Sequence, residues 1–298
     1  MSIDFPTELE MIRNQIASKY VNDFFLGIKN KVVMDDFLQL LIQLKNKGKV
    51  DEDIVSSKDD RPLTNAETAS LSNEGEDEPL EMTDTLPSAQ CFVFFLVWYE
   101  TSSTTISCCL HELAVNPDIQ ERLRKEVDTV LINHGGQITY EDLQELKFMD
   151  AVVDETLCKY PPVGSLARFC TKACQIPGTN VNIDKETSVF ITLYAIHHDS
   201  RYYLEPEKLD PERLLDENIQ IRPKFIHLPL GEGPRISIAY DQCCRFGCME
   251  VKVGLTALLS KYKFSVCETT SIPVTFNPIS FITLRPRDIH LKISHRDN

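Results

Sequence analysis

Four short segments of this chain hold residues whose types could do chemistry: Glu100-Thr101-Ser102-Ser103-Thr104-Thr105, Glu155-Thr156-Leu157-Cys158, Asp210-Pro211-Glu212-Arg213 and Gly231-Glu232-Gly233-Pro234-Arg235. An acid next to an alcohol can pass protons, because a Thr hydroxyl both donates and accepts hydrogen bonds. Standing alone on a helix, however, Glu100-Thr101 reads as a solvent-facing pair. Cys243, Cys244 and Cys248 lie near a helix start, where the dipole lowers thiol pKa, so they are candidate metal ligands. No second Cys or His pair at finger spacing completes a zinc site, and unligated, reduced thiols are the better reading. His197-His198 also has the look of a metal pair, but adjacent side chains on an extended or irregular segment point apart, which favours surface or core histidines.

These residues need elements to position them, and the chain is long enough to supply them. Its 298 residues suit one large domain or two small ones with a sizeable core. A hydrophobic share of 42% with 26% charged residues excludes a disordered chain or a membrane bundle. The net charge of -14 excludes nonspecific nucleic-acid binding, which needs a basic surface. Ten cysteines on so long a chain lack the even framework of a small secreted module, so reduced thiols facing the cytosol are expected. Met1 to Glu10 has no basic n-region and no apolar h-region, so neither a signal peptide nor a membrane anchor is expected there. The apolar run Cys91 to Tyr99 is too short to span a bilayer and reads as the start of a core helix.

Pro6 to Lys49 carries helical patterning, with Phe37, Leu40, Leu41 and Leu44 as its apolar stripe. Val50 to Pro87 turns acidic and polar, the composition of a solvated surface loop. Helices are expected over about Ser88 to Val115, stopped by Asn116-Pro117, over Asp118 to Asn133, and over Met149 to Tyr160 before Pro161-Pro162. Thr139 with Asp142 is a capping-box variant. Ala167 to Tyr194 reads as short strands, Ser200 to Ile236 as irregular, Arg245 to Lys261 as helix and Phe264 to Ile293 as terminal strands.

In order and separation, the four segments resemble the second half of the cytochrome P450 family, over about Asp36 to Ile293, with wording most like insect microsomal, xenobiotic-metabolising members. The resemblance implies a mainly α fold with a small β region, truncated at the N-terminus. It divides the chain into a helical remnant over 1–50, an acidic flexible loop over 51–88 and the C-terminal core over 89–298. It implies haem as cofactor, NADPH-cytochrome reductase as electron donor, a small apolar substrate such as a xenobiotic, and the cytosolic face of the endoplasmic reticulum membrane. With no anchor expected in this chain, a cytoplasmic location is the other possibility.

By the same resemblance Glu100 and Thr101 match the acid and alcohol that deliver protons to oxygen, while Arg235 and Arg168 match cations that pair with haem propionates, with Gly231 and Gly233 in the haem-binding loop. Glu155 and Arg213 match two members of a structural ionic triad, and Cys158 replaces its Arg. Val97 and Trp98 stand where the family has small residues, and overpacking of that kind costs about 1–3 kcal/mol. The frame that should end in a cysteine thiolate runs into Ser237, a hard, weak donor with a pKa too high for ready ionisation. Leu230 and Ala239 depart from the same loop, Asp241-Gln242-Cys243-Cys244 reads as an insertion, and Cys243 or Cys244 is a distant second candidate for the iron ligand. The expected function is therefore that of a haem-dependent monooxygenase impaired as written. The alternatives are a non-catalytic protein that keeps the fold for partner binding, or a mis-assembled gene model of an active enzyme.

Overall fold

Helix α1, Thr85–Val115, opens two residues before Pro87, which the first turn tolerates because its N–H groups have no intrahelical partner there. The structure is a computed structural model that describes residues 85–136, 139–215, 225–228, 245–278 and 283–296, and for 85–88, 90–98, 245 and 246 the backbone alone. The chain divides into two units, residues 1–100 and 101–298, and the packing described below lies within the second.

Asn116 ends α1 by donating from both its backbone N–H and its side-chain Nδ2 to the Glu112 carbonyl, each at 2.9 Å. Pro117 then begins α2, Pro117–Asn133, whose buried residues Gln120, Leu123, Val127 and Val130 recur at helical spacing. Thr139 and Asp142 form a reciprocal capping box on α3, Tyr140–Glu145. The Glu126 carboxylate of α2 accepts from the backbone N–H groups of Phe148 and Met149, at 2.7 and 3.0 Å, and so caps the start of α4, Lys147–Lys159.

Four antiparallel strand pairs follow among the described residues. Strand β1, Leu166–Phe169, pairs with β4, Ser188–Ile191, and between them β2, Cys174–Gln175, pairs with β3, Asn182–Ile183. A short helix α5, Leu193–His197, and a 3-10 turn, Pro211–Leu214, lead toward α6, Arg245–Leu259. After α6, β5 (Tyr262–Ser265) pairs with β8 (Lys292–His295), and β6 (Thr275–Phe276) with β7 (Pro286–Arg287).

The main core lies among α1, α2, α4 and α6, with Cys109, Leu113, Leu123, Val127, Met149 and Leu255 fully buried. Helices α1 and α6 approach closely at Gly254, where an added Cβ would meet Ile106 Cδ1 at 3.1 Å. Gln120 stitches three elements together: its Nε2 donates to the carbonyls of Leu113 and Phe264, at 2.8 and 2.9 Å, and its Oε1 accepts from Phe264 N–H at 3.0 Å. Arg296 accepts the role of a C-terminal cap on α6, donating to the carbonyls of Leu259 and Ser260 while pairing with Asp128 of α2.

The expected elements from α1 onward are present with shifted ends. Helix α1 already includes Thr85 to Pro87, which their composition assigns to the acidic loop; Pro87 is acceptable in a first turn, so it does not mark the boundary. Tyr194 lies in α5 and not at the end of a strand, and the Ser200 to Ile236 stretch contains the 3-10 turn. The helical segment 1–50 and the rest of the acidic loop lie outside the described residues. No helix among the described residues is long and apolar enough to cross a membrane.

Two measurements check this packing. Gln120→Leu should lower the unfolding free energy by about 2–4 kcal/mol in urea titration, because the Phe264 backbone and the Leu113 carbonyl are then buried without their partner. On α4, burial first and the nearby Asp150 second push the Asp154 carboxyl from 3.8 up to about 6, with Lys252 offsetting part of this. A folded-state pKa above the unfolded one makes the charged form a cost, fully present above about pH 6 and relieved as pH falls toward 3.8. Asp154→Asn should therefore raise stability by roughly 1–3 kcal/mol at pH 8, with the gain shrinking below pH 6 in thermal melts.

Candidate functional site

Glu100 and Thr101 occupy adjacent positions on α1, both half-buried. The Thr105 hydroxyl donates to the Thr101 carbonyl at 2.8 Å, one turn along the same helix. The side chains of Val97 and Trp98 lie outside the described residues, as do Gly231, Gly233, Arg235, Ser237, Cys243 and Cys244.

Further along α1, Glu112 is buried and takes Lys159 Nζ at 2.9 Å and the Tyr160 hydroxyl at 2.5 Å, both from the C-terminal end of α4. Burial by itself would push its carboxyl up, but His111, Lys159 and Tyr160 outweigh that and hold it below its usual value. The carboxylate is thus charged at neutral pH and locks the central helix to α4. Sequence reading missed this pair, although an acid inside the apolar run Leu110 to Val115 was a signal for it.

Glu155 and Arg213 come together as an ion pair, Arg213 Nη1 to Glu155 Oε1 at 3.5 Å, with both side chains largely buried. Arg213 also donates from Nη2 to the carbonyls of Glu205 and Lys208, at 2.9 and 3.0 Å, and its Nε lies 3.5 Å from Asp210 Oδ2. Glu155 Oε1 accepts the Asp210 N–H at 3.2 Å. The guanidinium offsets the buried Glu155 charge and organises the irregular segment from Glu205 to Arg213.

Cys158 faces a different set of groups. Its sulfur is buried, 3.1 Å from His227 Nδ1 and 3.6 Å from the Tyr203 hydroxyl, which donates in turn to the Ile226 carbonyl at 3.4 Å. His197 completes the cluster. Its Nδ1–H donates to the Cys158 carbonyl at 3.1 Å and its Nε2 accepts the Leu228 N–H at 3.2 Å, so both ring nitrogens are used by a neutral imidazole. Burial pushes this imidazole down to about 4, which keeps it neutral at physiological pH. His197 is therefore a core histidine on a short helix, not one on an extended or irregular segment, and His198 beside it stacks on Tyr194 with ring centroids 4.0 Å apart. Together Cys158, His197 and Tyr203 fasten residues 226–228, the stretch leading into the glycine-rich frame, to the end of α4. His227 and Tyr203 carried no sequence signal, since their partner is distant along the chain.

Arg168 projects from β1 as an exposed cation, its Nη1 donating to the carbonyl of the preceding Ala167 at 2.9 Å. It is one described residue that could take an anionic carboxylate. Among the described residues no group of three or more His, Cys, Asp and Glu side chains could hold a metal ion. Cys248 lies half-buried in the first turn of α6.

A helical core on a long central helix, small antiparallel sheets and the Glu155–Arg213 pair at the start of an irregular segment define a class of protein that comparison with known sequences identifies. The cytochrome P450 family model matches residues 14–293, and the chain belongs to that family. Probable cytochrome P450 6a14 of Drosophila melanogaster is 38% identical over 89% of this chain and 48% of its own length. Cytochrome P450 6a2 of the same species is 36% identical over 97% of this chain and 54% of its own, and cytochrome P450 6B1 of Papilio polyxenes is 33% identical over 99% and 59%. The chain spans about half the length of the curated relatives it matches. The fold is that of a partial cytochrome P450 chain, helix-dominated with small sheets, and haem is the family's cofactor.

The Cys158 pocket yields a prediction of its own. Because Cys158 is buried against His227, Tyr203 and Ile226, a guanidinium at this position would be overpacked. Cys158→Arg should lower the thermal midpoint, by roughly 1–3 kcal/mol in stability. A rise in the midpoint would show that the pocket rearranges to admit the cation.

Proposed function

We propose that this chain is the C-terminal part of a haem-dependent monooxygenase, acting in its intact form on small apolar substrates or xenobiotics with electrons from NADPH-cytochrome reductase, and impaired in oxidation as written. The observation that carries the reading is Ser237 at the position where the family's haem-binding loop supplies a cysteine. Haem, when bound, activates oxygen, and it depends on electron donation from a thiolate that a serine hydroxyl does not give. The donor set of this loop therefore does not fit a thiolate-ligated haem.

What the chain does retain supports an origin in an active enzyme. In this reading Glu100 and Thr101, neighbours on α1, would hold and pass a proton, and Arg168, with Arg235 in the loop, would supply cations for propionate groups. The Glu155–Arg213 pair and the Glu112 clamp preserve the packing that would support such a site. That preservation, beside the altered ligand position, also favours the second reading, a fold kept for binding a partner at the cytosolic face of the endoplasmic reticulum or in the cytoplasm.

Reconstitution with haem, reduction and exposure to carbon monoxide test the proposal directly. The red-shifted Soret band of thiolate ligation should be absent from the unaltered chain and should appear, weakly, in Ser237→Cys. A full-strength band without substitution would overturn the reading and assign the ligand to Cys243 or Cys244, each of which can then be tested by replacement with Ala.

A further inference from the structure

Outside the site described above, two thiols stand in sulfur contact at the surface. Cys170, just past the end of β1, and Cys174, the first residue of β2, bring their Sγ atoms to 3.9 Å. Backbone hydrogen bonds fix both. Cys170 N–H donates to the Thr187 carbonyl at 2.9 Å and its carbonyl accepts the Glu186 N–H, while Cys174 lies opposite Ile183 in the β2–β3 pair. Only the exposed residues Thr171, Lys172 and Ala173 separate the two cysteines, so small adjustments there and side-chain rotation can bring the sulfurs together. The approach needed is about 1.9 Å, to a bond length near 2.05 Å.

We propose that Cys170 and Cys174 form a thiol–disulfide exchange site, a vicinal dithiol that a low-molecular-weight disulfide such as oxidised glutathione closes reversibly. Cys174 is the more exposed and attacks first. Its thiolate forms a bond to one sulfur of the oxidant, whose S–S bond breaks; the departing glutathione thiolate takes up the proton that Cys174 lost. Partial burial and the hydrogen bond with Cys174 hold the Cys170 thiol above its usual pKa, so it keeps its proton until that first step is complete. Cys170 then gives up its proton and attacks the Cys174 sulfur of the mixed disulfide, and the second glutathione leaves as a thiol. Two protein thiols are oxidised by two electrons, and one small disulfide is reduced to two thiols. A disulfide across so short and exposed a loop is of the labile kind, so reduced glutathione reverses it.

The test uses the full chain equilibrated over a series of oxidised and reduced glutathione mixtures, acid-quenched, alkylated and read by peptide mass. Cys267, whose sulfur meets the Thr269 and Thr270 hydroxyls, is the internal reference. The expected result is a Cys170–Cys174 cross-link that protects both thiols from alkylation on the order of tenfold relative to Cys267 in oxidising mixtures, and is lost in reducing ones. Cys170→Ser should stop at a glutathione adduct on Cys174. As a probe of proximity independent of redox potential, phenylarsine oxide should bridge the two thiols in the unaltered chain and not in either single Ser variant. Alkylation of Cys170 and Cys174 in parallel with Cys267 throughout, with no arsenical on their peptide, would overturn the proposal, as would their pairing with other cysteines. Neither readout depends on haem.

Discussion

A carboxylate inside a helical core is tolerable only if donors surround it, and in this protein that condition at Glu112 joins the two helices on which everything else is hung. Lys159 and the Tyr160 hydroxyl reach it from the end of α4, so the central helix and α4 meet at a fixed point and not merely over a greasy surface. Apolar packing sets which faces touch; the buried charge sets where along their length they stop. The same α4 carries Glu155 and Cys158, so the clamp fixes the element behind the Glu155–Arg213 pair as well as the core.

Downstream of that clamp, the two departures from the family pattern near α4 and in the glycine-rich loop differ in kind. Cys158, which the family resemblance sets at an arginine position, places a neutral group near Glu155 and Arg213, and His227 and Tyr203 meet the sulfur. Arg213 still offsets the buried Glu155 charge. Ser237, at the ligand position under the proposed function, is a change of another sort. Electron donation to iron is a property of the ligand atom itself, and hydrogen bonds around a hydroxyl do not turn it into a thiolate.

The polar bonds that organise the irregular region share a second property: they serve backbone. Arg213 spends two of its hydrogen bonds on the carbonyls of Glu205 and Lys208, and His197 bridges the Cys158 carbonyl and the Leu228 N–H. Segments without helix or sheet ladders must find partners for their main-chain groups elsewhere, and buried side chains with several donors or acceptors supply them.

Much of this was legible in the sequence, because helices announce themselves through local rules. Asn116-Pro117 stops α1, Thr139 with Asp142 opens α3, and the helix over Asp118 to Asn133 can be read without any knowledge of its neighbours. The family resemblance likewise rested on four collinear motifs, and the identities of Ser237 and Cys158 were fixed by reading alone. What tertiary structure decided was pairing across distance. That Cys158 would face His227 and not the Glu155–Arg213 pair, that His197 would be a neutral core histidine, and that Cys170 would meet Cys174 all depend on chain segments brought together by packing. Local periodicity says which face of an element is buried, but the partner of a buried polar atom is set by whichever distant residue the fold delivers to it.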